Sequence, residues 1–263
     1  MSELSVSTVL QNGKTVMSDC FFTSPFKVAK PFYRDDGYTE IMVMCASPGI
    51  LAGDKYDMRF NLSNNTKTII SEQSYRKLYN TGDGFSQQNT RIQAGENAAL
   101  CYIPYPVIPF AGSRFHSRTD IDLRPSSKLI FGEIFTCGRD GMGERFAFSE
   151  FSSRTAVSVD GKPVFLDNSR LFGSGGGGVT KGYEAENCEA DFSGLGFFEG
   201  YSCQGVFFLY GFDEISLPER EGIQAAVSRS SAGFTIRALG DSANSLYRFA
   251  GSWLLPGLYS ILK

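Results

Sequence analysis

A single histidine, His116, serves the whole 263-residue chain. No H-E-x-x-H, C-x-x-C or facial-triad pattern accompanies it, so there is no local signature of a caged metal. A Ser-His-Asp triad would have to use His116, and no G-x-S-x-G elbow is present to hold its serine. Long apolar runs are missing as well: none reaches the ~18 residues that a membrane-spanning helix needs. Met1 to Leu10 alternates polar and apolar residues, without the basic start and apolar centre of a signal peptide. Lys and Arg total 25 against 28 Asp and Glu, a net charge of −3, and no basic cluster stands out along the chain. Phosphate backbones are held by clustered Lys and Arg. These absences predict a soluble, cytoplasmic protein with neither nucleic acid nor membrane as its partner.

What is abundant points to strands. Hydrophobic residues make up 42% of the chain, enough for a sizeable core, with 23 Phe and 29 Gly. Aromatic and β-branched residues suit a half-buried pleated surface, and glycine suits turns and bulges. Leu4 to Leu10, Tyr56 to Leu62 and Phe146 to Phe151 alternate with period two, and Ile41 to Cys45 is apolar on both faces. Similar runs occupy 66–71, 98–103, 119–123, 128–136 and 154–159. Ser47-Pro48-Gly49 fits a type II turn, and Asn64-Asn65, Ala94 to Asn97 and Asp160-Gly161-Lys162 read as short connectors. Strands recurring about every ten residues fit a sandwich, a barrel or a β-helical stack, and periodicity alone does not choose among them. The six cysteines, at 20, 45, 101, 137, 188 and 203, are expected to be free thiols acting as small hydrophobes.

The run Gly173 to Gly178 predicts a flexible surface loop. It is no phosphate loop, because Val179 and Thr180 separate the last glycine from Lys181. Two helices are expected near the end. Pro218-Glu219-Arg220-Glu221 opens one. Asp241 or Ser242 caps the other, whose stripe is Leu246, Phe249, Ala250, Trp253 and Leu254, with Pro256 ending or kinking it. Such a stripe covers the protein's own sheet or docks a partner, and Leu246, Phe249 and Trp253 are the candidate docking residues.

Carboxylates are the remaining chemistry. Asp54 follows a Gly-containing turn, and Glu133 lies inside the apolar run Leu129 to Phe135, where an acid is costly unless paired or wet. Arg139 and Glu144 follow closely. Three readings stand: an internal ion pair holding a hairpin, a glycosidase-like acid pair drawn from Asp54, Glu133 and Glu144, or carboxylates lining a passage for a divalent cation. A plain β-sandwich binding module is a further alternative.

Several segments carry a resemblance. Ser47-Pro48-Gly49-Ile50-Leu51-Ala52-Gly53-Asp54 is similar to S-P-G-G-hydrophobic-x-G-G-D of the UreD/UreH family. Ser71 to Tyr79 resembles T-T-Q-x-x-x-K-x-Y, and Tyr102 to Phe110 resembles Y-x-P-x-P-x-I-P-F. Glu133 to Arg139 followed by Gly143 to Phe146 resembles E-x-x-x-x-G-R and G-E-x-F. Arg237 to Gly240 also fits, and Phe21 to Lys27 with Pro31 to Tyr33 looks closest to the UreH branch. The matches keep family order across roughly residues 20 to 250. Ser71-Glu72 departs from the usual Thr-Thr, and Ile50 from a second Gly.

The resemblance implies one β-rich, β-helical domain over 1–263 with a few short helices, mainly near the C-terminus. It implies a urease maturation protein rather than an enzyme, bound to a UreF-like helical accessory protein, a UreG-like GTPase and apo-urease subunits. Nickel would be in transit, with no tightly bound cofactor. Residues expected along the ion's path are Asp54, Ser71, Glu72, Glu133 and Glu144, with Lys77 and Arg139 as countercharges.

Overall fold

The computed structural model describes residues 1–175, 192, 194 and 196–260, the last nine of them for their backbone alone. The hairpin β1 (Ser2–Gln11) and β2 (Lys14–Phe22) leads through β3 (Phe26–Val28) and β4 (Phe32–Tyr33) to β5 (Thr39–Cys45). The chain then coils through β6 (Lys55–Leu62), β7 (Lys67–Glu72), β8 (Arg76–Leu78), β9 (Ser86–Ala94), β10 (Ala99–Tyr102), β11 (Val107–Pro109), β12 (Arg114–Leu123), β13 (Lys128–Thr136) and β14 (Glu150–Val159). Next come β15 (Lys162–Phe172), β16 (Cys203–Tyr210), β17 (Ile223–Ser230), β18 (Gly233–Gly240) and one long helix, α1 (Ala243–Ser260).

Successive strands alternate between two sheets. The 7-stranded sheet has the order β15-β14-β12-β9-β6-β1-β2, and the 11-stranded sheet runs β17-β18-β16-β13-β10-β7-β5-β3, with β4 paired to β5, β11 to β13 and β8 to β11 beside that path. The central pairs are parallel, as in β6 with β9 and β10 with β13, because each coil returns through the opposite sheet before adding its next strand. This is a β-solenoid of stacked coils, flanked at both ends by antiparallel strands. Its corners stack too. Asn65 and Asn97 both adopt left-handed backbone (φ 62° and 54°), which asparagine tolerates, and the Asn97 amide donates to Asn65 Oδ1 at 3.2 Å.

Two apolar layers result. The first lies between the sheets and includes Leu4, Met58, Phe60, Ile92, Leu100, Phe115, Leu129, Phe131 and Phe208. The second covers the outer face of the 11-stranded sheet, where Ile130, Ile134, Phe207 and Ile236 meet Leu246, Phe249 and Ala250 of α1. Ser242 caps that helix, its Oγ accepting from the Ser245 amide at 3.1 Å. Leu246 and Phe249 are 0% and 1% exposed, so they cover their own sheet and are not a surface for a partner to meet. The side chain of Trp253 lies outside the described residues. No helix among them is long and apolar enough to cross a membrane.

The structure corrects several local expectations. The strand expected from Phe146 begins only at Glu150. Phe146 takes left-handed backbone (φ 53°) and stacks on Phe192 at 4.3 Å, so its apolar alternation belongs to an aromatic cluster. Residues 218–221 are not helical: Gly222 (φ 70°) turns the chain into β17, and Arg220 bridges to Ile223. Among the described residues, helix is thus limited to α1 and a single 3-10 turn at Asp140–Met142, and β16, β17 and β18 fill the region before α1. Pro256 does not end α1, which runs on to Ser260. A proline removes one i to i−4 hydrogen bond, and the helix tolerates that loss here. Gly49 lacks the positive φ of a type II turn. It is required by close approach, since a Cβ there would lie 2.5 Å from Lys77 O and 2.6 Å from the Tyr79 ring. Gly173 to Gly175 are not a free loop either: the Ser174 and Gly175 amides donate to Phe146 O (2.8 Å) and Phe148 O (3.1 Å). Residues 176–178 lie outside the described residues.

Cys20, Cys45, Cys101, Cys137 and Cys203 are free, and Cys188 lies outside the described residues. Burial pushes the thiols of Cys101 and Cys203 up to about 12. Titration of the denatured, unreduced protein is therefore expected to find the full thiol complement, while native protein reacts slowly at these two. Rapid native labelling of Cys101 would contradict the packing.

Candidate functional site

Alternation puts every second residue of the 7-stranded sheet into the space between the sheets. Over part of that face the inward residues are polar. One rung runs Gln88, Ser117, Ser153, Ser169 across β9, β12, β14 and β15. The neighbouring rung runs Thr90, Thr119, Thr155, Asp167. Gln88, Thr90, Thr119, Ser153 and Thr155 are all under 9% exposed. Hydroxyls and amides in an interior need partners, and here they supply them to one another and to charges from the facing sheet.

Those charges come from β7, β8 and β13, and β10 adds a hydroxyl. Arg76 forms a bidentate pair with Glu72, its Nε donating to Oε2 at 3.0 Å and Nη2 to Oε1. The same Nη2 donates to the Tyr102 hydroxyl at 2.9 Å. Burial opposes the guanidinium's charge, and Glu72 beside it more than compensates, holding Arg76 protonated. Burial raises the Tyr102 hydroxyl as well, so it stays neutral.

Glu133 is the second interior acid. Its Oε2 accepts from Ser153 Oγ (3.0 Å) and Thr155 Oγ1 (3.1 Å), one from each polar rung. Burial raises its carboxyl above the ordinary range, and these two hydrogen bonds and the charge of Arg76 only partly offset that. Protein surrounds Glu133, yet the residue is only partly buried. It opens on a cavity of about 50 Å³ shared with Arg76, Ser117, Ser153, Asp167 and Ser169. That volume admits a few waters. Asp167 is held from the far side by Arg237 at 2.6 Å. Glu133 does not pair with Arg139.

The other expected residues are scattered. Asp54 closes its own turn, accepting from the Leu51 amide at 2.8 Å and from the Tyr56 hydroxyl at 3.3 Å. Tyr56 lies beside Gln88 in register, so Asp54 sits at the outer end of a polar rung. Ser71 neighbours Glu72 in β7 and therefore faces the opposite side of the sheet, donating to Glu40 at 2.8 Å. Lys77 is exposed on β8, and its neighbour Arg76 is the interior countercharge. Arg139 clamps Glu144 in an outer loop, its Nε donating at 2.8 Å, and lies 4.2 Å from the Phe110 ring centre. Hydrogen bonding from Arg139 leads the effects that lower the Glu144 carboxyl. His116 stands 3.3 Å from Glu150 on the outer face. Among the described residues, no three His, Cys, Asp or Glu side chains gather closely enough to hold a metal ion.

Comparison with known proteins settles the family. The profile described as UreD urease accessory protein matches residues 1–255. The chain belongs to the UreD/UreH family of urease accessory proteins. It is 34% identical over 242 residues to "Urease accessory protein UreH" of Helicobacter pylori (strain P12), covering 89% of this chain and 86% of that one. It is also 34% identical over 256 residues to "Urease accessory protein UreD" of Acetivibrio thermocellus, covering 93% and 92%. The Flavobacterium johnsoniae UreD is 29% identical over 260 residues, covering 94% and 88%.

The solenoid explains why the UreD/UreH motifs recur in order. Ser71 to Tyr79, Tyr102 to Phe110 and Glu133 to Arg139 occupy equivalent stretches of successive coils, so β7, β10 and β13 lie side by side. Beyond them β8, β11 and the end of β13 pair as well. Arg76, Ser153, Thr155 and Asp167 were not singled out from the sequence. Arg76 sits next to Lys77 and looks like part of a solvated charge pair, and the others stand at least 20 residues from Glu133 in another sheet.

Proposed function

We propose that the chain is a non-catalytic scaffold through which nickel passes into apo-urease, docked between the urease and a UreF-like protein carrying a UreG-like GTPase. The observation that carries this reading is the inward-facing polar layer around Glu133. It joins one raised carboxyl, two hydroxyl rungs and a water-sized cavity inside an otherwise apolar solenoid. A conduit must bind its ion weakly, because release limits delivery. Separate carboxylates and hydroxyls, without a His or Cys cage, give oxygen sites of that kind.

On this reading Glu133, Glu72 and Asp167 are the acids along the path, Ser153 and Thr155 its hydroxyls, and Arg76 its countercharge. Asp54 and Glu144 stand nearer the surface, as rim groups, and Ser71, Lys77 and Arg139 support their own loops. A glycosidase reading fits poorly. A cavity of about 50 Å³ is far below the ~300 Å³ and more of a small-molecule pocket, and of the candidate acids Asp54 closes its own turn while Glu144 is clamped by Arg139 in an outer loop.

Calorimetry of the isolated protein with Ni²⁺ is expected to give weak, reversible binding, with a Kd of roughly micromolar or above. A stoichiometric nanomolar site would replace the conduit with a store. His116→Ala is expected to leave both binding and urease activation unchanged.

A further inference from the structure

The outer face of the 7-stranded sheet carries a feature invisible along the chain. Six arginines, Arg59, Arg91, Arg114, Arg118, Arg154 and Arg170, stand on it over three carboxylates. Asp57 lies between Arg59 (2.9 Å) and Arg91 (3.5 Å). Asp120 lies between Arg118 (2.6 Å) and Arg154 (3.1 Å). Glu150 holds Arg170 at 2.9 Å and Arg114 at 3.8 Å. Asp57 and Glu150 lie low, their side chains 11% and 10% exposed, while Asp120 is 30% exposed and Asp122, on the same face and bound by Ser158, is exposed; the guanidiniums stand higher, from 34% and 40% at Arg114 and Arg154 to 51–59% at Arg59, Arg91, Arg118 and Arg170.

This arrangement is poorly suited to stability alone. Arg59 is the register partner of Arg91, and Arg118 of Arg154, so like charges stand side by side on adjacent strands. Like-charged neighbours across a sheet destabilise it, and exposed ion pairs return little. The chain as a whole is acidic, at −3, yet this broad face presents cations outward. Among the described residues nothing packs over it, whereas the outer face of the other sheet is covered by α1.

We propose that this arginine face is a docking surface for a protein partner that presents a flat array of Asp and Glu side chains. Strands about 4.8 Å apart set neighbouring guanidinium forks side by side, and each fork matches a carboxylate in bidentate geometry. Nucleic acid fits the face less well. The carboxylates beneath repel a continuous polyanion, and rings that could stack bases are already engaged: Phe85 stacks on His116 at 5.2 Å and Arg170 lies over Phe172 at 4.9 Å. The inference is independent of the interior passage.

The test uses the full-length chain and purified apo-urease and accessory proteins as probes, with heparin and anionic vesicles as alternatives. The parent is expected to bind at least one of the proteins with an affinity that falls steeply between about 50 and 500 mM NaCl. Changing Arg59, Arg91, Arg118 and Arg154 together to Gln should weaken that binding at least tenfold and flatten its salt dependence. The matching Arg→Lys variant keeps the charge but loses the planar fork, so it should keep the salt dependence and bind several-fold more weakly than the parent. It also decides the matter if the Gln variant does not fold. Equal binding of every protein by parent and Gln variant, salt-independent binding by the parent, or a loss confined to heparin or vesicles would overturn the proposal.

Discussion

Arg76→Ala is expected to cost about 3–5 kcal/mol of stability, the usual penalty for leaving one partner of a buried ion pair uncompensated. Glu72 is 8% exposed, and its pairing with Arg76 is bidentate. Tyr102 accepts from the same guanidinium and would lose its donor too. For a chain of this size the melting temperature should fall by roughly ten degrees. The double variant Glu72→Gln/Arg76→Met should recover most of that, because it removes both charges while keeping much of their volume. Thermal and urea unfolding of the single and double variants check this. A single variant within about 1 kcal/mol of the parent would mean that cavity water already screens Glu72.

Glu133→Gln should behave in the opposite way. The folded carboxyl titrates above its ordinary value of 4.5, so the native state holds a proton more tightly than the unfolded chain does. Stability contributed by this group therefore falls as pH rises from about 4.5 through the raised folded value, and the loss is complete above it. Glutamine does not titrate, and its amide oxygen can still accept from Ser153 and Thr155. At neutral pH the variant should be at least as stable as the parent, and its stability should depend less on pH. Its urease activation should nevertheless drop several-fold, since an amide neutralises the path's central acid. A variant that is destabilised at pH 7 would show Glu133 to be a structural anion.

Much of this architecture was legible in the sequence, for identifiable reasons. The strands β1, β5, β6, β7, β10 and β13 sit where alternation or apolar runs place them, because most of their buried residues are Val, Ile, Leu, Met or Phe. β9 escapes the alternation rule because its first part, Ser86 to Thr90, is polar on both faces: Gln88 and Thr90 point inward, which binary patterning assigns to solvent, and only Ile92 and Ala94 are apolar and inward. The same rule hid Ser153 and Thr155, and with them the environment of Glu133. Motif order revealed the family, and the apolar company of Glu133 identified it as unusual. The sequence could not reveal that Arg76, rather than Arg139 or Lys77, supplies the interior positive charge. Nor could it show that six arginines spread from position 59 to 170 meet on one face, since that depends on parallel register.

The central claim is that the interior acid serves the passing ion rather than the fold. Its most direct test is nickel content per urease active site, measured after activation with either parent or Glu133→Gln at equal amounts of assembled complex. The expected result is a complex that forms normally, a protein that melts no lower than the parent, and urease carrying several-fold less nickel. Full nickel loading by a well-folded, complex-competent Glu133→Gln would contradict the account.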